Sequence, residues 1–436
     1  MISQILFLFL FVGMSFFIRR RVLVIARNIG RGREILINDR KPERWKNMLL
    51  MALGQKKMFD RPLVGFMHLL IYAGFFLINI EVMEIVLDGI LGTHRIFLPV
   101  LGETFYTLLL NFFEILALLV VLVCVVFLVR RNVLPIARFR SPELSKFPRL
   151  DANIILVSEI VLMMAFFGMN AADAILQSQD VAHYHACGPF VVSAAFMPLL
   201  ENWSSDGLVI FERSLWWLHI AGILGFALYM TYSKHLHIAL AFPNTWFARL
   251  NQKGEIRNMD AITTEVKIAL GLAQDTGAPA IAGSFGAKDA TDLNWKHLMD
   301  AYSCSECGRC TSVCPANLTG KKLSPRKIMM DVRDRITEIG EAMDQNSEWK
   351  GDGKSLLGDY TSQEEILACT NCNACVEACP IQINPLDIII EMRRYSVMEA
   401  TQAPASWNSM FSNLENNGAP WALPASDRGK WMEGNA

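Results

Sequence analysis

The sequence predicts a mainly α-helical protein in which a five-helix transmembrane bundle precedes a helical cytoplasmic domain. Hydrophobic residues make up 52% of the 436 residues, which is more than in an ordinary water-soluble protein, and they are concentrated before Asn244. Eight of the ten cysteines lie instead after Ser303, so the chain divides into a membrane half and a cysteine-rich half. The net charge of −1 gives no reason to expect a nucleic-acid partner.

Five apolar stretches are each long enough to cross the roughly 30 Å hydrocarbon core of a bilayer. They lie near 2–26, 63–88, 104–129, 152–177 and 209–233. The first differs from a cleavable signal peptide, because its positive charges follow the apolar run and no small-residue cleavage site is apparent. We therefore expect five retained helices in a domain that covers residues 1–253.

The distribution of basic residues predicts the orientation of these helices. Ten Lys and Arg residues lie between 19 and 46, six between 130 and 149, and four between 234 and 257. The two other loops carry only Arg95. Because Lys and Arg are retained on the cytoplasmic side, we expect a multi-pass protein of the inner membrane with its N-terminus outside and its cysteine-rich half in the cytoplasm.

Histidines in the second and fifth spans are candidate ligands of haem b. His68 lies near the cytoplasmic start of the second span, and His235 and His237 follow the fifth. Because these spans are antiparallel, His68 is expected level with His235 or His237, which suits a haem with two imidazole ligands. The alternative is that these histidines have only structural roles.

A second haem nearer the outside would use His219, in the outer part of the fifth span. His219 precedes His237 by 18 residues, or about 27 Å along a continuous helix. On the second span only His94 is available as its partner ligand, and it comes close only if Gly89 or Gly92 ends the helix and the loop folds back.

Five carboxylates also fall within the predicted spans: Glu81, Glu84, Asp88, Glu114 and Glu159. Carboxylates are costly in lipid, so they are expected to face the bundle interior or to be paired. A proton relay for quinone chemistry is one interpretation. The other is that they hydrogen-bond to neighbouring groups and brace the helix packing.

The cysteine-rich half contains the pattern C-x2-C-x2-C-x3-C-P twice, which is typical of ferredoxins with two [4Fe–4S] clusters. In such a run three thiolates reach one cluster and the fourth reaches the other. Cluster one is predicted to be held by Cys304, Cys307, Cys310 and Cys379, and cluster two by Cys369, Cys372, Cys375 and Cys314. Structural zinc or disulfides fit this spacing and the cytoplasmic location less well.

The remaining segments connect or extend these two domains. Residues 254–292 are predicted to be a linker, flexible over 275–290, and 293–400 an all-helical two-cluster domain. Helices are expected near 263–273, 325–343 and 386–398. Residues 401–436, with Trp407, Trp421 and Trp431, are predicted to be a tail that docks onto a partner or packs back onto its own domain.

The membrane half resembles the gamma subunit of respiratory nitrate reductase and the cytochrome b subunit of membrane heterodisulfide reductase. His68, His219 and the run Lys234-His235-Leu236-His237 carry this resemblance. It implies a cytochrome b-type bundle and favours His237 over His235 as a ligand. In the second span the sequence departs from the nitrate reductase pattern, because Ile78 and Asn79 stand where that family has a second histidine.

The cysteine-rich half is similar to the helical ferredoxin part of heterodisulfide-reductase-like and glycolate-oxidase iron–sulfur proteins. Residues 295–310 and the run that begins at Cys369 carry the similarity. Residues 413–421 resemble the segment that precedes a cysteine-rich CCG domain in that family, but no cysteine follows Cys379. The resemblance implies that a partner supplies the CCG domain.

Together these features predict a membrane electron-transfer subunit. Electrons would pass between a quinone pool, haem b, two [4Fe–4S] clusters and a cytoplasmic partner, which would be a CCG-domain protein, a dehydrogenase or a flavoprotein. One alternative is the combined anchor and iron–sulfur subunit of a molybdenum or flavin oxidoreductase. Another is a membrane redox sensor or ion-coupled module that does not react with quinone. No nucleotide-binding fingerprint or nucleophile constellation suggests that the chain converts a substrate alone.

Overall fold

The computed structural model describes residues 1–274 and 285–433, and these residues form helices joined by turns and loops without any β-strand. Within this part of the chain, five helices are long and apolar enough to cross a membrane. A cysteine-containing helical domain follows them. The predicted mainly α-helical fold, with a five-helix bundle ahead of the cysteine-rich domain, is confirmed.

The membrane half contains the five long helices and three short ones. They are α1 (Ile2–Ile29), α2 (Lys41–Met48), α3 (Pro62–Leu91), α4 (Leu98–Leu101), α5 (Glu103–Asn132), α6 (Phe147–Ser178), α7 (Ser205–Met230) and α8 (His237–Trp246). Local chemistry sets several of their ends. Ser204 accepts a hydrogen bond from the Gly207 amide at the start of α7, and Gly92, at a φ of 73°, ends α3.

Large apolar side chains and closely packed glycines hold the bundle together. Phe7 of α1 is fully buried, with its ring 5.8 Å from that of Trp216 on α7. Gly74 of α3 lies against Val120 of α5, and Gly222 of α7 lies against Leu162 of α6, at distances that leave no room for a side chain. Small residues at such crossings let helix backbones approach closely in a membrane.

The fifth span is shorter than the sequence predicts. The apolar stretch extends to residue 233, but α7 ends at Met230 and a short 3₁₀ turn, Lys234–Leu236, leads into α8. The Ser233 hydroxyl accepts a hydrogen bond from the His235 amide and stabilises this turn. His219 is therefore not separated from His237 by a continuous helix, and the expected 27 Å between them does not apply.

The cytoplasmic half is a compact set of shorter helices. They are α9 (Asp260–Ala269), α10 (Trp295–Ser303), α11 (Arg309–Ser312), α12 (Pro315–Leu318), α13 (Pro325–Gln345), α14 (Gln363–Leu367), α15 (Ala374–Ala378), α16 (Pro385–Arg394), α17 (Ala405–Asn417) and α18 (Lys430–Glu433). The predicted helices near 263–273, 325–343 and 386–398 correspond to α9, α13 and α16. A π-helical turn, Tyr395–Glu399, extends α16.

Helix α13 supplies the core of this half. Its N-terminal cap is Ser324, whose hydroxyl accepts a hydrogen bond from the Lys327 amide. Ile328, Val332 and Ile336 follow at helical spacing, and all three are fully buried. This apolar face packs against α10 and α16, so the helices that flank the two cysteine runs are fixed to one another.

The linker and the tail differ in how far they pack. Residues 275–284 of the expected flexible segment lie outside the described residues. After them, Ala287 is buried and its amide donates a hydrogen bond to the Glu391 carbonyl at 2.9 Å, so the described end of the linker packs onto α16. In the tail, α17 buries none of its residues, and Trp421 and Trp431 are exposed.

The two halves are joined by direct contacts at the cytoplasmic ends of the long helices. With 28 residues, α1 is about 42 Å long, so its last turns extend past a membrane core. There Asn28, which is buried, donates a hydrogen bond to the Tyr302 hydroxyl at 3.0 Å. The fully buried Arg326 of α13 pairs with Glu143, in the loop between α5 and α6, at 2.7 Å.

Replacing Glu143 is expected to destabilise this junction. Glu143→Ala leaves the Arg326 guanidinium buried without its carboxylate, and breaking a buried ion pair costs about 3–5 kcal/mol. The measurement is urea unfolding of the purified protein in detergent, followed by the visible absorbance of the clusters. Glu341→Ala, at an exposed position of α13, is the matched control. Equal unfolding midpoints for the two variants would contradict the prediction.

Candidate functional site

The structure brings the eight cysteines of the two runs together in the two predicted sets. Each set lines its own small cavity. Cys304, Cys307, Cys310 and Cys379 surround the first cavity, and Cys314, Cys369, Cys372 and Cys375 surround the second. The fourth cysteine of each run therefore lies with the first three of the other run, as the crossed arrangement requires.

The two cysteine loops share one backbone conformation. Two residues after the first cysteine, Glu306 and Asn371 have positive φ angles of 53° and 55°. One residue after the second cysteine, Gly308 and Asn373 have φ angles of 70° and 60°. Glycine and asparagine adopt this left-handed conformation most easily, so the loop geometry explains their presence in these runs.

Backbone amides point at the sulfur atoms of these loops. The Asn371 amide donates to Cys369 Sγ at 3.5 Å, and the Ile383 amide donates to Cys379 Sγ at 3.3 Å. Hydrogen bonds of this kind to cluster sulfurs help to set a reduction potential. They are available here because the loops fold tightly around each cavity.

The thiols fit a metal cluster in their chemistry. Burial, reinforced by the neighbouring cysteines, raises the pKa of Cys375 and of Cys379 to about 12, and a coordinated metal would keep such thiols deprotonated. Among the described residues, no three His, Cys, Asp or Glu side chains are close enough to share a single metal ion. A [4Fe–4S] cluster binds its four thiolates on four different irons, so it suits this wider ring better than zinc does.

Four histidines line one cavity of about 380 Å³ in the membrane half. They are His68 of α3, His219 of α7, His235 of the 3₁₀ turn and His237 of α8. At its cytoplasmic end the same cavity is lined by Cys307 and Arg309 of the first cysteine loop. The histidines and the loop of cluster one therefore share one enclosed space.

The ring nitrogens leave ligand positions free. His219 Nδ1 donates to the Leu162 carbonyl at 2.9 Å, and His237 Nδ1 donates to the Lys234 carbonyl at 2.8 Å, so each Nε2 is available. His68 Nδ1 and His235 Nε2 are buried without a partner. Since buried polar atoms in proteins are normally satisfied, these orphaned nitrogens fit a site for a metal-containing group such as haem.

His94 lies away from this cavity, contrary to the expected pairing with His219. Its Nε2 is 3.7 Å from Asp173, and its ring packs against Tyr184. The helix does end at Gly92, one of the two glycines at which the sequence allows it to stop, but the loop then folds over the outer end of the bundle. His219 is the fifteenth of the 26 residues of α7, so it lies near the middle of the helix and not in its outer part.

Most of the carboxylates in the spans brace the outer loops. Asp88 accepts hydrogen bonds from the amides of Arg95 and Ile96, at 2.8 and 3.1 Å. Glu84 accepts from the Phe97 amide at 2.9 Å, and Glu114 from the Val192 amide at 2.7 Å. For these three residues, the structural interpretation agrees with the geometry.

Glu159 differs from these three carboxylates because it lines the histidine cavity. Arg95, the one basic residue of the outer loops, is buried and pairs with Asp173. That side of the bundle therefore presents no basic side chain to solvent from these two loops.

An ion pair that sequence reasoning missed joins the two sites. Lys234 Nζ contacts the Glu306 carboxylate, and Arg333 Nη1 donates to Glu306 Oε1 at 2.7 Å. Burial raises the pKa of Glu306, but Lys234 and Arg333 lower it more, so the net pKa lies below its usual value. Lys234 precedes His237 and Glu306 lies between Cys304 and Cys307, so this pair connects the histidine segment with the first cysteine loop.

Comparison with known proteins identifies the cysteine-rich part. Residues 303–384 match the family of 4Fe-4S dicluster domains. The chain is 26% identical over 92% of its length to the probable iron-sulfur-binding oxidoreductase FadF of Bacillus subtilis, covering 57% of that protein. It is 29% identical, again over 92% of its length, to the EtfAB:quinone oxidoreductase of Syntrophomonas wolfei, covering 55% of that protein.

A shorter similarity connects the chain to heterodisulfide reductases. It is 33% identical over 24% of its length to one subunit of the ferredoxin/F(420)H(2)-dependent CoB-CoM heterodisulfide reductase of Methanosarcina acetivorans, covering 52% of that subunit. The chain spans little more than half the length of its two long-range relatives. No solved structure matches it.

These similarities establish the general class of the protein. The chain contains a 4Fe–4S dicluster domain and is homologous to FadF-type iron–sulfur oxidoreductases and to the iron–sulfur subunit of heterodisulfide reductases. With its five membrane-length helices, this supports a membrane-associated iron–sulfur electron-transfer role. The resemblance of the membrane half to the nitrate reductase gamma subunit stays a prediction.

Paired cysteine replacements test the crossed ligand sets. In Cys304→Ala/Cys379→Ala both lost thiols belong to cluster one, so iron is expected to fall by about half, from about eight to about four atoms per chain. In Cys375→Ala/Cys379→Ala one thiol is lost from each set, so both clusters are expected to be impaired. Iron and sulfide analysis with electron paramagnetic resonance measures this difference.

Cys124→Ala/Cys187→Ala is the control for the cysteine pairs, because both thiols lie outside the two runs and are buried elsewhere. It should keep both clusters. Identical iron loss in the two test variants would contradict the crossed assignment.

Proposed function

We propose that this chain is the electron-transfer subunit of a quinone-linked membrane oxidoreductase. In this proposal haem b occupies the histidine cavity, and electrons pass between a quinone pool, the haem, clusters one and two, and a cytoplasmic partner. The observation that carries the proposal is the shared cavity, because His68 and His237 line the same space as Cys307 and Arg309. Haem and the two clusters would supply the one-electron chemistry.

His68 and His237 are the proposed axial ligands. His237 is held by the hydrogen bond from its Nδ1 to the Lys234 carbonyl, which directs Nε2 away from its own backbone. His68 lines the same cavity from α3, and its Nδ1 has no other partner. His235, whose ring centroid lies 5.8 Å from that of His237, remains the alternative to His237.

His219 is the candidate ligand for a second haem further from the cytoplasmic end. Its Nδ1 is oriented by the Leu162 carbonyl, which leaves Nε2 available to a ligand. Its partner would be a group other than His94, since His94 is held near Asp173 and Tyr184.

The first cysteine loop is held rigidly against the membrane half. Arg309 donates a hydrogen bond to the Lys57 carbonyl at 2.9 Å, and Glu306 is clamped between Lys234 and Arg333. Fixed donor–acceptor geometry is what an electron-transfer site needs, and supporting contacts of this kind provide it. The role of these residues is to position the loop beside the cavity.

The second cysteine loop offers the exit towards a partner. Cys372 is exposed, as is the neighbouring Asn371, so cluster two would lie near the surface. The exposed Trp421 and Trp431 of the tail are candidate docking residues. Because a relative is named EtfAB:quinone oxidoreductase, we propose a flavoprotein as the partner, with a CCG-domain protein or a dehydrogenase as alternatives.

The proposed orientation places the N-terminus outside the inner membrane and the dicluster domain in the cytoplasm. The basic residues at the end of α1 lie on the side of the dicluster domain, where Arg31 Nη2 pairs with Asp344 at 2.6 Å. On the opposite side Arg95 is buried. This asymmetry supports the positive-inside assignment.

Histidine replacements test the haem proposal. A quinol-reduced minus oxidised spectrum of the purified protein is expected to show a b-type haem, and His68→Ala and His237→Ala are expected to abolish the signal of the haem at the cytoplasmic end. His94→Ala is the matched control and should keep it, because His94 does not line the cavity. Wild-type protein with iron and sulfide but no haem would contradict the proposal and favour a redox sensor or ion-coupled module.

Glu306→Gln tests the positioning contact. The substitution removes the charge that faces Lys234 and Arg333 inside the junction, where loss of one partner of a buried pair costs about 3–5 kcal/mol. We expect slower electron transfer between haem and cluster one in stopped-flow absorbance, with both groups still bound. Glu341→Gln, on the exposed side of α13, should transfer electrons at the wild-type rate. Unchanged transfer in Glu306→Gln would show that the contact does not position the loop.

A further inference from the structure

A separate cavity of about 120 Å³ lies where the segment after α8 meets α10 and the second cysteine loop. It shares neither the membrane histidines nor the cysteine ligands. Five cationic residues line it: Lys57, Arg249, Lys253, Arg257 and Lys296. The carboxylates in its wall are Asp300 and Asp387.

Two side chains in this cavity carry hydrogen-bond donors without acceptors. The first is Arg249, whose Nη1 is 3.4 Å from Asp387, but whose Nε and Nη2 are buried and have no hydrogen-bond partner. Glu255, at 3.8 Å from Nη2, is beyond hydrogen-bonding distance. A buried guanidinium edge left without an acceptor is costly, so it indicates a missing group.

The second of these side chains is His297, in the same wall. The residue is buried, and its Nε2 lies 3.4 Å from the side-chain nitrogen of Asn294. If Asn294 donates to Nε2, the neutral ring carries its proton on Nδ1. Nδ1 is buried without a partner, so the ring presents a second unmatched donor.

The nearby carboxylates do not satisfy these groups. Asp300 is paired with Lys296 at 2.6 Å, and Asp387 with Arg249 Nη1 only. Glu377, which is about half exposed, pairs with Lys57 and Lys253. Positive charge and unmatched donors therefore remain together in one enclosed space.

We propose that this cavity binds a phosphate-sized oxyanion. Such an ion carries only acceptors, which complements the Arg249 edge and His297 Nδ1, and arginine binds oxyanions with charge-assisted pairs of hydrogen bonds. The cavity volume of about 120 Å³ is well below the roughly 300–1,000 Å³ of pockets that hold larger organic ligands. It suits a single phosphate group better than a whole nucleotide.

The oxyanion would lie beside cluster two. Asn373 and Val376, which lie close to Cys375 in the sequence, are part of the cavity wall. Negative charge near an iron–sulfur cluster lowers its reduction potential, so oxidation of the cluster and binding of the anion are expected to favour each other. This linkage rests on the proposed ligands of cluster two, whereas the binding itself does not depend on haem or quinone.

Inorganic phosphate is the probe for the binding test. Isothermal titration of the purified holoprotein in detergent, at constant ionic strength, is expected to give one site per chain. Arg249→Gln and His297→Gln should each weaken binding at least about tenfold, since each removes a donor to a charged ligand. Lys350→Gln, which removes an exposed cation outside the cavity, is the matched control and should bind phosphate like the wild type.

The visible spectrum of the clusters shows whether each variant is folded. Wild-type protein that binds no phosphate, or folded Arg249→Gln and His297→Gln variants that bind it unchanged, would overturn the proposal. Wild-type protein that lacks haem but binds phosphate would contradict the proposed function and support the oxyanion site, so the two failures are distinguishable.

Two further measurements define the source of the oxyanion and its effect. In nanodiscs, phosphatidylglycerol that competes with phosphate would identify a lipid headgroup as the source, while no competition would identify free phosphate; either supports the oxyanion site. In a redox titration, saturating phosphate is expected to shift the potential of cluster two to more negative values in the wild type but not in Arg249→Gln. An unchanged wild-type potential would overturn the linkage to cluster two.

Discussion

The contact of Glu306 with Lys234 and Arg333 fixes how the two halves of this protein meet. Lys234 and Glu306 have side-chain exposures of only 8% and 3%, and charges so deeply placed are tolerated only when they remain paired. Lys234 belongs to the turn that carries His237, and Glu306 to the loop that carries Cys304 and Cys307. The pair therefore makes the position of the cysteine loop depend on the position of the histidine, and the shared cavity depends on both.

The sequence allows most of the fold to be predicted because the signals are local. Five apolar stretches of membrane length and a repeated cysteine pattern each depend on a short segment, and the structure agrees with both. The crossed position of Cys379 beside Cys304 follows from the repeat, since two equivalent loops face each other. Ion pairs between distant residues have no such signal. Lys234 and Glu306 are 72 residues apart, and neither residue is unusual in its own segment.

The expectations for the outer side of the bundle failed for a physical reason. Sequence alone treats Arg95 as a solvent-exposed charge and His94 as a residue free to turn inwards. In the folded chain Arg95 is buried against Asp173, and Asp88 accepts hydrogen bonds from two successive amides of the turn, those of Arg95 and Ile96. The requirement to neutralise a buried guanidinium determines the path of this loop, and His94 follows it towards Asp173 and away from His219.

The same requirement gives meaning to the cations that remain incompletely paired. On the outer side, Arg95 is satisfied by Asp173, Asn170 and Tyr106, so its burial serves only the fold. Beside the second cysteine loop, Arg249 is also largely buried, yet two of its nitrogens lack acceptors. A fold that satisfies one buried arginine so fully has no structural reason to leave the other unsatisfied. Since Asn373 of the cluster loop shares the cavity with Arg249, the missing acceptor belongs where its charge would act on electron transfer.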